Sequence, residues 1–146
     1  MAAEKIKVSC LSCGATNLFP MTAVGKRVVC GRCKTPLPVP GAVLEPSSDQ
    51  ATRLFQVSAK PVLVDFFSAT CGPCQMMHPV LERLAKRRAG DLTVIRLNVE
   101  SHPDLAQRFG IRAVPTFVIL SRGMERARMS GAVGEEDFAF WVASQT

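Results

Sequence analysis

A chain of 146 residues has room for one ordinary domain and a small appendage, and an apolar fraction of 47% supplies a packed core. A charged fraction of 21% excludes wholesale disorder, and no apolar run approaches the roughly 20 residues needed to span a bilayer. The net charge of +6 sits mostly at one end, where Lys5, Lys7, Lys26, Arg27, Arg32 and Lys34 face Glu4 alone up to Pro40, while the remainder is close to balance. Met1 to Ser9 carries charges and no apolar h-region, so it does not read as a signal peptide, and the expected location is the cytoplasm.

The basic end also holds four of the six cysteines. Cys10 and Cys13 form one pair, Cys30 and Cys33 another, in the pattern C-x2-C-x16-C-x2-C of a four-cysteine zinc ribbon. Two residues between cysteines make a tight turn that aims both sulfurs at one ion, and two such turns complete a tetrahedron. Gly14 and Gly31 stand beside the turns, where unusual dihedrals are expected. Leu18, Phe19, Met21, Val24, Val28 and Val29 offer only a small core, so a structural Zn2+ is expected as the staple. Four thiolates with their ion would add −2 and trim the local excess of positive charge. With Phe19 as its only aromatic residue, the ribbon is a poor platform for stacking bases, which argues against a nucleic-acid partner.

Thr35 to Gly41 is too rich in proline for a helix and reads as a stiff linker or an edge segment, so residues 1–38 are expected as the ribbon and 39–146 as a second domain. A helix capped by Ser47 or Ser48 is expected to run to about Ala59. Pro61–Phe67 suits a buried strand, and helical periodicity follows from about Cys71 to Arg88. Leu92–Val99 reads as a strand, Pro103–Phe109 as a short helix and Pro115–Leu120 as a third strand. Ser121-Arg122-Gly123 turns into a fourth strand near Met124–Ser130, and a last helix starts near Glu135. The order predicts an α/β mixed sheet with helices on both faces.

Cys71-Gly72-Pro73-Cys74 lies after a strand and opens a helix. Helix N-termini lower cysteine pKa values through their orphan N–H groups, and proline is at home in a first turn. The first cysteine of such a pair is expected as the exposed nucleophile and the second, one turn inward, as the resolving thiol. On paper Cys71, Cys74, His78 and His102 could also ligate a metal, but the Gly-Pro turn explains the pair better. His78 and His102 are otherwise expected at the surface.

The segments VDFFSATCGPC, RLNVESHP, FGIRAVPTF and a late SGA follow in order from about Val43 onward, and here the chain resembles the thioredoxin family. With the ribbon added, it is similar to the zinc-containing second type of bacterial thioredoxin. The resemblance implies a thioredoxin fold, reduction of protein disulfides, and regeneration by an NADPH-dependent thioredoxin reductase, with no cofactor at the redox site. It implies that Asp65 is a buried acid serving Cys74. Independently, a carboxylate among Val62, Leu63, Val64, Phe66 and Phe67 should be desolvated and its pKa raised. Pro115 matches a cis-proline, and it is expected to form a substrate-docking surface with Gly72, Pro73, Val114, Thr116 and Gly131. Pro79 matches a helix-kinking proline. Three residues depart from the pattern. Thr70 and Phe67 stand where the family usually has tryptophan, and Arg96 where it has lysine. Arg96 can hold Asp65 ionised but cannot shuttle protons.

Overall fold

The structure, a computed structural model, describes residues 5–20, 28–37, 39 and 41–146. Met21 and Val24 of the expected ribbon core, and Pro38 and Pro40 of the expected linker, lie outside them. No helix among the described residues is long and apolar enough to cross a membrane.

The ribbon opens with two strands that the cysteine pattern alone did not predict. β1 (Lys5–Ser9) pairs antiparallel with β2 (Thr16–Pro20), with Val8 opposite Asn17. Alternation along β2 turns Phe19 toward the ribbon core and Leu18 outward, 58% exposed. Val29 is likewise largely exposed, so neither residue adds to the core as expected. The buried residues are Val8, Cys10, Cys30, Leu37 and Val39, with Ala15, Phe19 and Val28 packed against them. Leu37 and Val39 come from the proline-rich segment, which also bridges Val29 to Pro36 as an edge.

The first knuckle of the ribbon reaches the rest of the chain. Leu11 packs against the core beneath α1 (Ser48–Val57), and its carbonyl accepts a hydrogen bond from Arg53 Nη1 on that helix. Ser47 caps α1 as foreseen, in a reciprocal capping box with Gln50.

The larger sheet has the order β3-β5-β4-β6-β7. β4 (Val62–Phe67) lies at its centre, parallel to β5 (Thr93–Asn98) and antiparallel to β6 (Thr116–Ser121). β7 (Met124–Ser130) closes a hairpin with β6, and the two-residue β3 (Val43–Leu44) adds a parallel edge on β5. The expected mixed sheet is therefore present.

Side chains alternate between two apolar layers. Leu63, Val94, Phe117 and Ile119 face α2 (Gly72–Arg87) and α4 (Glu135–Gln145). Val62, Val64, Phe66, Ile95, Leu97 and Val118 face α1 and α3 (Pro103–Arg108). By the same alternation Asp65 and Arg96, opposite each other on β4 and β5, face α2. Arg83 of α2 forks onto Glu135 at the start of α4, with N–O distances of 2.6 to 3.0 Å. Phe138 of α4 is fully buried, with its ring centroid 4.7 Å from that of Phe117. Phe138→Ala is expected to cost about 3–5 kcal/mol of stability, measured by urea denaturation.

Candidate redox site and cysteine cluster

Cys71 is the N-cap of α2, with extended backbone, and Pro73 stands in the first turn. Its Sγ accepts the backbone N–H of Cys74 at 3.2 Å, and no acidic residue lies in that turn. A thiolate placed here is stabilised directly by an orphan helix N–H. Cys71 and Cys74 are disulfide-bonded, with Cα atoms 5.2 Å apart. The two sulfurs differ in access: Cys74 is fully buried, whereas Cys71 is half-buried and flanked by exposed Thr70, Gly72 and Pro73.

A second segment comes up to the sulfur. The Val114 carbonyl oxygen lies 3.8 Å from Cys71 Sγ, and the Val114–Pro115 bond is cis. Thr116 is buried, its hydroxyl donating to the Ala113 carbonyl at 2.7 Å and lying 2.9 Å from Ser130 Oγ. Gly131 has φ +94° and donates to the Pro115 carbonyl at 2.9 Å. A Cβ there would meet nothing within 4 Å, so its φ is what favours glycine. Thr70 joins a polar rim in which its hydroxyl lies 3.2 Å from Ser68 Oγ, and Ser68 Oγ donates to Glu100 at 2.6 Å.

Asp65 is fully buried, and Arg96 Nε donates to its Oδ2 at 3.3 Å. Its Oδ1 has no protein partner among the described residues. Burial raises its pKa to about 6, against the pull of the Arg96 charge and hydrogen bond. The guanidinium carbon of Arg96 lies 3.8 Å from the centroid of the Phe67 ring.

At the other end of the chain, the sulfur atoms of Cys10, Cys13, Cys30 and Cys33 all lie within 4.8 Å of one another, positioned to bind a metal ion. The two knuckles share one backbone pattern. The N–H of Cys10 donates to the Ala15 carbonyl and that of Gly14 to the Cys10 carbonyl; Cys30, Thr35 and Lys34 repeat this. The left-handed position is therefore the fourth after the first cysteine of each pair, Gly14 at φ +77° and Lys34 at φ +64°. Gly31, expected to take that role, does not have a positive φ. Its N–H instead donates to Asn17 Oδ1 at 2.9 Å. Cys30 is drawn down to about 6, first by the Cys33 N–H and further by Asn17 and Arg32, against desolvation. Cys13 goes up to about 11: the Ala15 N–H lowers it, but burial and the three neighbouring sulfurs together outweigh that pull. Without an ion, the cluster cannot hold four negative sulfurs side by side.

The Thioredoxin family model matches residues 42–144. The chain belongs to the thioredoxin family. Thioredoxin C-3 of Corynebacterium nephridii is 31% identical over 138 residues, 94% of each chain, a length that takes in the cysteine cluster as well. A thioredoxin of Mycobacterium bovis is 46% identical over 78 residues, covering 53% of this chain and 67% of that one. The solved structure of a mutant thioredoxin from Halobacterium salinarum superposes with a TM-score of 0.67 at 30% identity, over 74% of this chain and 94% of that chain. The activity follows the family: this thioredoxin is a thiol–disulfide oxidoreductase with Cys71 and Cys74 as its redox pair.

Two contacts in this thioredoxin were not foreseen. His78 Nδ1 lies 3.1 Å from Arg96 Nη1, so His78 joins the buried acid's surroundings rather than standing free at the surface. His102 meets Ser48 Oγ at 2.7 Å, which ties α3 to α1, and among the described residues it belongs to no group that could hold a metal ion. The helical spacing of Cys74 and His78 was visible in the sequence; the strand register that brings Arg96 beneath them was not.

The raised Asp65 pKa makes stability depend on pH. Between about pH 4 and 6 the folded chain keeps a proton that the unfolded chain has released, so stability is greatest at the acid side and declines as pH rises through about 6. A rise from 3.8 to about 6 corresponds to a loss of about 3 kcal/mol. Asp65→Asn is expected to remove this slope and to exceed the wild type in stability at pH 8. Urea denaturation at a series of pH values checks it.

Proposed function

We propose that this thioredoxin reduces disulfides in proteins, with Cys71 as nucleophile, Cys74 as resolving thiol and Asp65 as the acceptor of the Cys74 proton. The observation that carries the reading is the asymmetry of the pair: one accessible sulfur at a helix N-terminus, one buried sulfur a turn inward, and a buried acid of raised pKa on the strand face covered by that helix. The Cys71 thiolate attacks one sulfur of the substrate disulfide, forms a mixed disulfide and releases the other sulfur as a thiolate. Cys74 passes its proton to Asp65, attacks Cys71 Sγ and displaces the second substrate sulfur, which takes up a proton. Two electrons have then passed to the substrate, and the Cys71–Cys74 disulfide remains. Gly72, Pro73, Val114, Pro115, Thr116 and Gly131 form the surface on which substrate backbone docks; the 3.8 Å approach of the Val114 carbonyl to Cys71 supports this. An NADPH-dependent thioredoxin reductase restores the dithiol, in the cytoplasm, where such dithiols are kept reduced.

The cysteine cluster is assigned to a structural Zn2+. Zinc–sulfur bonds of about 2.3 Å place the corners of a tetrahedron about 3.8 Å apart. The Cys10–Cys33 and Cys13–Cys30 sulfurs are 3.6 and 3.7 Å apart, and a set of four thiolates suits zinc. Cys10, Cys13, Cys30 and Cys33 would hold the ion, closing the ribbon expected at residues 1–38, whose core also takes Val39 from the start of the segment 39–146 expected as the redox domain. The ion would supply folding energy there and no redox chemistry.

Insulin disulfide reduction coupled to NADPH through a bacterial thioredoxin reductase tests the reading. Steady NADPH consumption that needs both proteins is the expected result. A folded, zinc-loaded chain that stays inactive both with the reductase and with dithiothreitol would overturn it.

A further inference from the structure

Arg96 is held from two sides. Nε donates to Asp65 Oδ2 at 3.3 Å, Nη1 meets His78 Nδ1 at 3.1 Å, and His78 Nε2 lies 3.1 Å from Glu82 Oε1. The Phe67 ring lies against the guanidinium. Arginine has five donors, no acceptor and a permanent charge, so in this contact Nη1 donates and Nδ1 accepts. The imidazole proton then sits on Nε2, facing the Glu82 carboxylate. Only a neutral ring in this tautomer satisfies both neighbours. The result is a line of four groups, Glu82–His78–Arg96–Asp65, running from the exposed side of α2 to a fully buried acid on β4.

We propose that His78 is a positioning residue for the redox reaction: by accepting from Arg96 it holds the guanidinium on Asp65 and so sets the acid's protonation. The proposal rests on the reading of Asp65 as the proton acceptor of Cys74. Among the described residues, the charged and titratable groups on this face are Arg96 from β5 and Cys74, His78 and Glu82 from α2. β6 pairs Phe117 with Asp65, and α4 presents Phe138 and Val142 to the same layer.

Removing the His78 acceptor leaves an Arg96 N–H unpaired in a place that is almost dry, with the arginine side chain 8% exposed. The guanidinium then turns toward water, and Asp65 loses the one charge that offsets its burial. Desolvation acts unopposed, and the acid keeps its proton to higher pH. Glutamine can replace the imidazole here, because its Oε1 accepts from Arg96 while its amide donates to Glu82. Leucine can do neither.

The test is a carboxyl carbon NMR titration of Asp65 in the full-length, zinc-loaded, reduced protein. The variants are His78→Leu, His78→Gln, Arg96→Gln and the double variant with His78→Leu. His78→Ala replaces His78→Leu should the latter not fold. His78→Leu is expected to raise the Asp65 midpoint by about half a unit or more. His78→Gln is expected to restore the wild-type midpoint, and His78→Leu to add nothing once Arg96 is glutamine. A midpoint unmoved by His78→Leu would overturn the proposal. So would an equal shift in the Arg96→Gln background, since it would show bulk polarity acting without the arginine. This titration reads the part of His78 whatever Asp65 does for Cys74. That role is read separately, by whether Asp65→Asn slows release of the second substrate thiol from the mixed disulfide.

Discussion

Cys71→Ser is expected to reduce NADPH-coupled insulin reduction to the rate seen without the protein, whereas Cys74→Ser leaves the first half of the reaction intact and stalls the second. The difference follows from where the sulfurs sit. Cys71 is the accessible sulfur, and it alone caps the helix, taking the Cys74 N–H at 3.2 Å. A serine hydroxyl at that position has no comparable anionic form near neutral pH, so no mixed disulfide forms. Cys74 is fully buried one turn inward and reaches only a sulfur already bonded to Cys71. Its removal traps the substrate on Cys71 as a covalent adduct, with close to one substrate thiol released per chain in a single burst. Mass spectrometry of the non-reduced product checks both halves. A Cys71→Ser chain that still turned over, or a Cys74→Ser chain that trapped nothing, would invert or remove the assigned roles.

Much of this architecture is legible in the residues because the redox domain is strongly patterned. The apolar run at Pro61–Phe67 becomes β4, Val62–Phe67, and the helix read from Cys71 to Arg88 spans Gly72–Arg87. The turn at Ser121-Arg122-Gly123 joins β6 to β7 as expected, with positive φ at Arg122 and Gly123. β3 escaped because two residues carry no period; Val43–Leu44 is a strand only by virtue of its partner, β5. In the ribbon, the cysteine spacing announces a metal cluster but says little about which apolar residues turn inward. Alternation along β2 decides that for Phe19 and Leu18, and the proline-rich segment contributes Leu37 and Val39, which composition alone marked as linker. The Gly31 expectation failed for a local reason. The left-handed residue is set by its offset from the first cysteine of each knuckle, and superposing the two motifs would have pointed to Lys34. At the redox site, the Val114 carbonyl comes within 3.8 Å of Cys71 Sγ, Gly131 is tied to the Pro115 carbonyl, and Asp65 lies on the sheet face toward α2. The Arg96–His78 contact is different in kind, because it depends on the register of β5 against β4 and on the height of α2 above both. Neither is encoded within a window of sequence.

Cys30→Ser is expected to abolish zinc binding and unfold the ribbon while leaving the redox domain folded. Cys30 is fully buried and takes the Arg32 N–H at 3.4 Å and the Asn17 amide at 3.5 Å, a site shaped for a large anionic sulfur. Among the described residues, two of the five buried in the ribbon core are themselves cysteines of the cluster, Cys10 and Cys30. Val8, Leu37 and Val39 are too few apolar side chains to hold the ribbon by themselves, and a bound zinc ion would supply the folding energy that they lack. Atomic emission should find one zinc per chain in the wild type and none in the variant, and the amides of β1 and β2 should lose their protection from hydrogen exchange. The redox domain keeps both of its own apolar layers. Among the described residues it gives up the packing of Leu11 under α1 and the Arg53 hydrogen bond to the Leu11 carbonyl, so its main unfolding transition should fall by about 1–3 kcal/mol. Turnover should stay within about twofold, because among the described residues the hydrogen bonds around Cys71 run to neighbours such as Ala69, Cys74 and Val114 and none to the ribbon. Stoichiometric zinc in the variant would show that three thiols suffice. Lost turnover in a folded redox domain would instead make the ribbon part of substrate or reductase docking.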